Sequence, residues 1–323
     1  MNSPTTSAID THAHVYPAWY LDQLERGGAP AASTAIARDI GADSTPADME
    51  ERIRDMDAAG VEKQVLAVTP QSPSLPGAAE SADAARAIND EYLRLVKKYP
   101  GRFLAYAALP LPHVDETLAE LERIADAGFV GVSLSALLPG GGSLVADSLA
   151  PVWDALNSAA AVVNIHPTGQ GACSTPITSH HLEWVNGAPV EDAIATLQLL
   201  KADVPGRWPD VTIHVAHLGG DLPFLMQRLE DNYEDWDAFA RSPRESLRGM
   251  YFDAANFFEP SLRLAVEAFG PNQILGGSDM PYFRGEKYVR AFEYVRGARL
   301  GGVEKRAILR DSALKLYGLD EDA

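Results

Sequence analysis

The sequence predicts a single α/β domain over residues 1–323, a (β/α)8 barrel of the TIM type with long loops on its C-terminal face. Three observations predict it. Short runs rich in Val, Ile and aromatic residues alternate eight times with stretches of helical spacing, at about 40 residues per unit. No G-x-G-x-x-G follows the first run, so the dinucleotide fingerprint of an open, doubly wound sheet is missing. Metal-ligating residue types also stand at the ends of the first, fifth, sixth and eighth runs. In an open sheet those ends would spread along an edge, whereas a barrel gathers them at one mouth.

In chain order, strands are expected over 8–15, 62–69, 103–109, 129–135, 161–166, 211–217, 250–254 and 273–278. Helices are expected over 46–59, with Thr45 as cap and Gly60 as stop, then 81–98, 114–127, 151–160, 190–201, 222–232, 261–269 and 303–317. The remaining length falls into loops at 16–45, 70–80 and 167–189, after strands one, two and five. Long loops at that face commonly form substrate lids.

Composition narrows the function. With 27 Lys+Arg against 45 Asp+Glu, the formal charge is −18, which disfavours a phosphate-tracking nucleic-acid binder. Hydrophobic residues make up 46% of the chain, enough for a large core but with no run near the ~18 residues of a membrane span. The single cysteine, Cys173, can form neither an internal disulfide nor a cysteine metal cage. The start, MNSPTTSAIDTHAHV, has neither the basic nor the apolar stretch of a signal peptide. These features suit a soluble cytoplasmic enzyme.

The chemistry is concentrated in few residues. Ile-Asp-Thr-His12-Ala-His14 ends strand one, and residues two apart on a strand share a face, so both imidazoles can meet one ion. Strand five closes on His166 and strand eight on Asp279. Three imidazoles and one carboxylate suit one divalent cation, Zn²⁺ first and Mn²⁺ as alternative, with a position left for water or substrate. On strand six, His214 and His217 are three apart and face opposite ways, so only one enters the mouth. His217, before Gly219-Gly220, is assigned to the pocket as proton donor or base, and His214 to the layer between strands and helices. His113, His180 and His181 have no such placement, and a solvated pair is the default for the last two. Residues 129–138 hold no lysine to bridge a second metal, which favours a single ion.

The segments IDTHAH, RIRDMDAAGVEKQVLAV, NIHP, EWVNGAPVEDA, HVAHLGGDLPF, YFDAA and ILGGSDMPY, running in order from Ile9 to Leu319, resemble the metal-dependent decarboxylase branch of the amidohydrolase superfamily. That branch includes aminocarboxymuconate-semialdehyde decarboxylase and the resorcylate- and salicylate-type decarboxylases. The resemblance implies a distorted barrel, cytosolic and commonly dimeric, with His12, His14, His166 and Asp279 as ligands and His217 as acid/base. It leaves open whether Asp279 also handles a proton, and Asp279 is counted with His217 among the catalytic candidates. Trp184 matches a pocket-wall aromatic, and Phe283, with Tyr282, is expected near the mouth to contact substrate.

The muconate enzymes resemble one another in clamping a carboxylate with arginine from the first loop and from the partner subunit. Here the first loop offers Arg38, while Arg241 and Arg244 lie beyond the position of the second, and Ser312 replaces an asparagine of the closing helix. A monocarboxylate such as a hydroxybenzoate is therefore expected over a dianion. Decarboxylation of an aromatic or enolic acid is the leading reading. The alternatives are hydrolysis of a cyclic small molecule by metal-bound water, as in lactonases, and a barrel without catalysis that serves as a scaffold.

Overall fold

A computed structural model describes residues 7–320. Residues 1–6 and 321–323, including part of the N-terminal stretch read above as lacking a leader, lie outside the described residues. Among the described residues, no helix is long and apolar enough to cross a membrane.

Nine strands form in chain order: β1 (Ala8–His14), β2 (Val61–Ala67), β3 (Phe103–Ala105), β4 (Ala107–Ala108), β5 (Val132–Ser135), β6 (Val162–His166), β7 (Thr212–Val215), β8 (Tyr251–Asp253) and β9 (Ile274–Leu275). They pair in parallel as β1-β2-β3 and as β4 through β9. Tyr106 alone separates β3 from β4. Its amide donates to Leu66 O and that of Ala107 to Gly131 O, so one strand passes from one neighbour to the next. At the other edge, Thr11 N donates to Gly276 O at 2.9 Å and His14 N to Met280 O at 2.7 Å. The two sheets thus close into the expected cylinder of eight strand positions.

The strands are shorter than the sequence suggests, most of all the last, because Gly276-Gly277 leave the ladder before Asp279. A Cβ at Gly277 would come within 3.1 Å of His12 Cβ and 3.0 Å of Asp253 Cβ, so only glycine lets this segment approach the mouth so closely. Strand β1 carries a register irregularity between Asp10 and Ala13. Asp10 faces outward, accepting from Tyr288 Oη at 3.0 Å and Gln64 Nε2 at 2.8 Å. His12, two residues on, faces inward to Asp253. A regular strand would put both on one face.

Helix 46–59 forms as expected: Thr45 Oγ1 accepts from Asp48 N at 3.3 Å, and Gly60 closes it in the left-handed region at φ 65°. The eighth helix differs. The barrel helix after β9 is 286–296, whose buried Tyr288, Ala291, Phe292 and Val295 form one apolar stripe. The expected helix 303–317 is broken by a π turn at 307–311. Its last part, 312–317, packs Ala313 and Leu314 on Ile9, Tyr251 and Leu275 inside the barrel, as a plug at the end opposite the mouth. The expected loops are also partly helical, holding 18–26, 175–178 and a π turn at 183–187.

Candidate metal centre and its cavity

His12 and His14 come from the end of β1, His166 is the last residue of β6, and Asp279 follows β9. Their ligand atoms all lie within 4.8 Å of one another. The ring centroids of His12 and His14 are 5.0 Å apart, and those of His14 and His166 are 4.8 Å apart. Hydrogen bonds at the far sides of two rings set their direction. His12 Nδ1 donates to Asp253 Oδ2 at 3.0 Å, and His166 Nδ1 donates to Pro167 O at 2.7 Å. Each ring therefore turns Nε2 to the centre, and both Nε2 atoms are buried without a hydrogen-bond partner. Asp279 Oδ1 stands 3.4 Å from His12 Nε2 and 3.2 Å from His14 Nε2.

Buried nitrogen lone pairs aimed at a common point beside a carboxylate are costly unless something positive meets them. The electrostatics agree. Burial opposes charge on His12, yet Asp253 and Asp279 outweigh it and lift its pKa to about 10. Burial pushes His14 down to about 4 and His166 well below its ordinary value, leaving both as neutral donors. Burial alone would raise Asp279, but His12, His14 and His217 hold it well below the carboxylate range. The corner attracts one positive charge, and its three nitrogens and one oxygen fit one divalent cation.

His217 does not end a strand. Chain β7 stops at Val215, and His217 and Leu218 turn the backbone at φ 51° and 57°. His217 Nδ1 lies 2.9 Å from Asp192 Oδ2, and its Nε2 lies 3.8 Å from Asp279 Oδ2. Burial opposes its charged form, but Asp192 and Asp279 raise it well above the ordinary histidine value. Because His217 lies past the strand, the alternation that sent His214 outward does not apply. His214 is fully buried, with Nε2 3.2 Å from Asp253 Oδ2, on the inside of the barrel below the metal centre.

A cavity of about 330 Å³ opens over His166, His217 and Asp279. Its lining includes Ile36, Trp184, Val185, Pro189, Asn256, Phe257, Tyr282 and Phe283. The Trp184 and Tyr282 rings stack at 6.4 Å and 24°. Trp184, Phe283, His217 and Asp279 thus converge with the three imidazoles. Arg38 does not: its Nη2 is held by Asp22 at 2.8 Å and Glu25 at 2.7 Å, and among the described residues no Lys or Arg lines the cavity. Arg241 pairs with Asp203, and His180 and His181 are exposed.

Sequence reading missed Asp192, Asp253 and Asn256. Both aspartates stood in segments quoted above, but a carboxylate behind a histidine leaves no spacing signal of its own. Asp253 Oδ1 accepts the amides of His217 at 3.2 Å and Ala255 at 3.1 Å, so one carboxylate steadies both the His12 ring and the backbone of His217.

An α/β barrel with three imidazoles and a carboxylate at its C-terminal mouth defines a metal-dependent barrel enzyme. The chain belongs to the amidohydrolase family, whose model matches residues 9–319. It is similar to the decarboxylase yanB of Aspergillus niger, at 31% identity over 96% of this chain and 87% of the relative. It is also similar to 2-amino-3-carboxymuconate-6-semialdehyde decarboxylase of Dictyostelium discoideum, at 27% identity over 86% and 79% of the two chains. A dihydroxybenzoic acid decarboxylase from Polaromonas, solved with manganese and the inhibitor 2-nitroresorcinol, shares the fold at TM-score 0.84 and 20% identity, over 97% of each chain.

Proposed function

We propose that the protein is a metal-dependent, non-oxidative decarboxylase of a hydroxylated aromatic monocarboxylic acid. One observation carries this reading: His217, backed by Asp192, and the His12–His14–His166–Asp279 cluster share one aromatic-walled cavity that no Lys or Arg lines among the described residues. The decarboxylase relatives point the same way. Without a Lys or Arg to hold a second carboxylate, a monocarboxylate fits the cavity better than a dianion.

His12, His14, His166 and Asp279 would hold that ion, Zn²⁺ by donor set, with Mn²⁺ as the alternative favoured by the Polaromonas neighbour. When bound, the cation supplies Lewis-acid polarisation and a template for the substrate's carboxylate and neighbouring hydroxyl oxygen. Trp184, Tyr282 and Phe283 flank a flat ring and exclude water from it. Asp192 accepts from His217 Nδ1–H and aims Nε2 at the cavity. His217 Nε2–H gives its proton to the ring carbon that bears the carboxylate, forming a C–H bond. The C–C bond then breaks, its electron pair restores the aromatic ring, and CO₂ leaves. Solvent returns the proton to His217, and Asp279 Oδ2, 3.8 Å from Nε2, lies where it can assist that transfer.

Arg38 has no part in this scheme. The family resemblance and the single cysteine favour a cytoplasmic homodimer, which light scattering on the purified protein tests in its oligomeric half. Incubation with hydroxybenzoates and, separately, with lactones decides the reaction. Stoichiometric CO₂ from a hydroxybenzoate without oxygen uptake supports decarboxylation, while turnover of lactones alone would establish the hydrolytic alternative.

A further inference from the structure

We infer that the C-terminal plug at the floor of the barrel sets the geometry of the metal centre at its mouth, through a hydrogen-bond chain in which Tyr317 donates to Tyr106, Tyr106 to His214 and His214 to Asp253, the carboxylate that also accepts from His12. The steps measure 2.6 Å from Tyr317 Oη to Tyr106 Oη, 2.9 Å to His214 Nδ1, 3.2 Å from His214 Nε2 to Asp253 Oδ2, and 3.0 Å to His12 Nδ1. This inference rests on the cation reading above.

Donor and acceptor chemistry fixes the direction. Ser133, Asn164 and His214 are successive register partners on β5, β6 and β7, so they form one layer across three strands. Ser133 Oγ donates to Asn164 Oδ1 at 2.7 Å, which leaves the Asn164 amide nitrogen facing His214 Nδ1 at 3.3 Å. An amide nitrogen only donates, so Nδ1 is the acceptor and the imidazole proton sits on Nε2. That proton goes to Asp253. Nδ1 has one lone pair, filled by the nearer donor Tyr106 Oη at 2.9 Å, and the Tyr106 oxygen is left to accept from Tyr317. Burial disfavours charge on His214, in keeping with a neutral ring whose tautomer its neighbours dictate.

His214 is therefore a positioning residue. It supplies one of four hydrogen bonds to Asp253, beside His12 Nδ1 and the amides of His217 and Ala255. With Asp253 pinned, His12 keeps its proton on Nδ1 and offers Nε2 to the ion. Tyr317 belongs to the terminal helix 312–317, so seating of that helix is felt at the mouth.

The test is Mn²⁺ binding, read from the free-ion electron paramagnetic resonance signal, on the full chain with circular dichroism to confirm folding. His214→Phe should raise the Mn²⁺ Kd by about 10–100-fold, the usual effect of losing a group that orients a ligand. His214→Gln, whose amide nitrogen falls where Nε2 does, should recover most of that loss. Tyr317→Phe, which keeps the ring in the plug, should weaken binding about fivefold, the equivalent of one hydrogen bond. Wild-type affinity in folded Tyr317→Phe overturns the relay, whether or not His214→Phe folds, provided His12→Ala has lost Mn²⁺. A chelator-stripped wild-type protein that takes up neither Mn²⁺ nor Zn²⁺ overturns the cation reading, and the relay with it.

Discussion

The two ends of the barrel interior are made by the same strands and could hardly differ more. Strand β1 sets Ile9, its second residue, against the plug and carries His12 and His14 at its other end. The same holds for β8, from Tyr251 to Asp253, and for the β9 segment, from Leu275 to Asp279. The floor is an apolar cluster closed by Ala313 and Leu314, and its side chains need only fit. The mouth is a set of buried polar groups whose lone pairs stay unmatched without a cation. Stability is therefore concentrated at one end and chemistry at the other, joined by the chain through Tyr317, Tyr106 and His214, so an apolar change at the floor should cost stability far more than metal.

The largest effect should come from the mouth. His166→Ala removes a ligand on β6, and metal content and turnover should both fall to background while the folded content by circular dichroism is kept. His217→Ala should retain the metal and lose about 10²–10⁴-fold in kcat. A variant with unchanged kcat would remove His217 from the proton transfer. At the floor, Leu275→Ala should lower unfolding stability by about 2–5 kcal/mol in denaturant melts, with the metal stoichiometry unaltered. Loss of the metal as well would contradict this division of stability and chemistry. The smallest effect is expected at Arg38, whose pairs with Asp22 and Glu25 lie at the surface and are screened by solvent. Arg38→Ala should leave KM for a hydroxybenzoate unchanged, and a large rise in KM would restore Arg38 to the substrate site.

The same contrast explains what was legible in the sequence. The barrel was, because eight β-rich runs alternating with helices leave few other arrangements, and so was the meeting of His12, His14, His166 and Asp279, because they stand at or just past strand ends. Helix 286–296 was legible too, with Tyr288, Ala291, Phe292 and Val295 spaced as a helical stripe, but the C-terminal segment was read in its place. Three features were hidden for physical reasons. The phase change in β1 between Asp10 and Ala13 depends on pairing with β2, which no local pattern records. His214 turns inward because β7 ends at Val215, two residues before His217, so a periodicity argument counted across a strand end. Arg38 is held by Asp22 and Glu25 from the preceding helix, a choice of partner made by the folded loop.

Metal content of the protein as purified, measured per chain before and after treatment with a chelator, tests the central claim most directly. The account predicts about one Zn²⁺ or Mn²⁺ per chain, CO₂ release that disappears as the ion is stripped, and recovery when it is returned. A protein free of metal that still releases CO₂ at the full rate would contradict it.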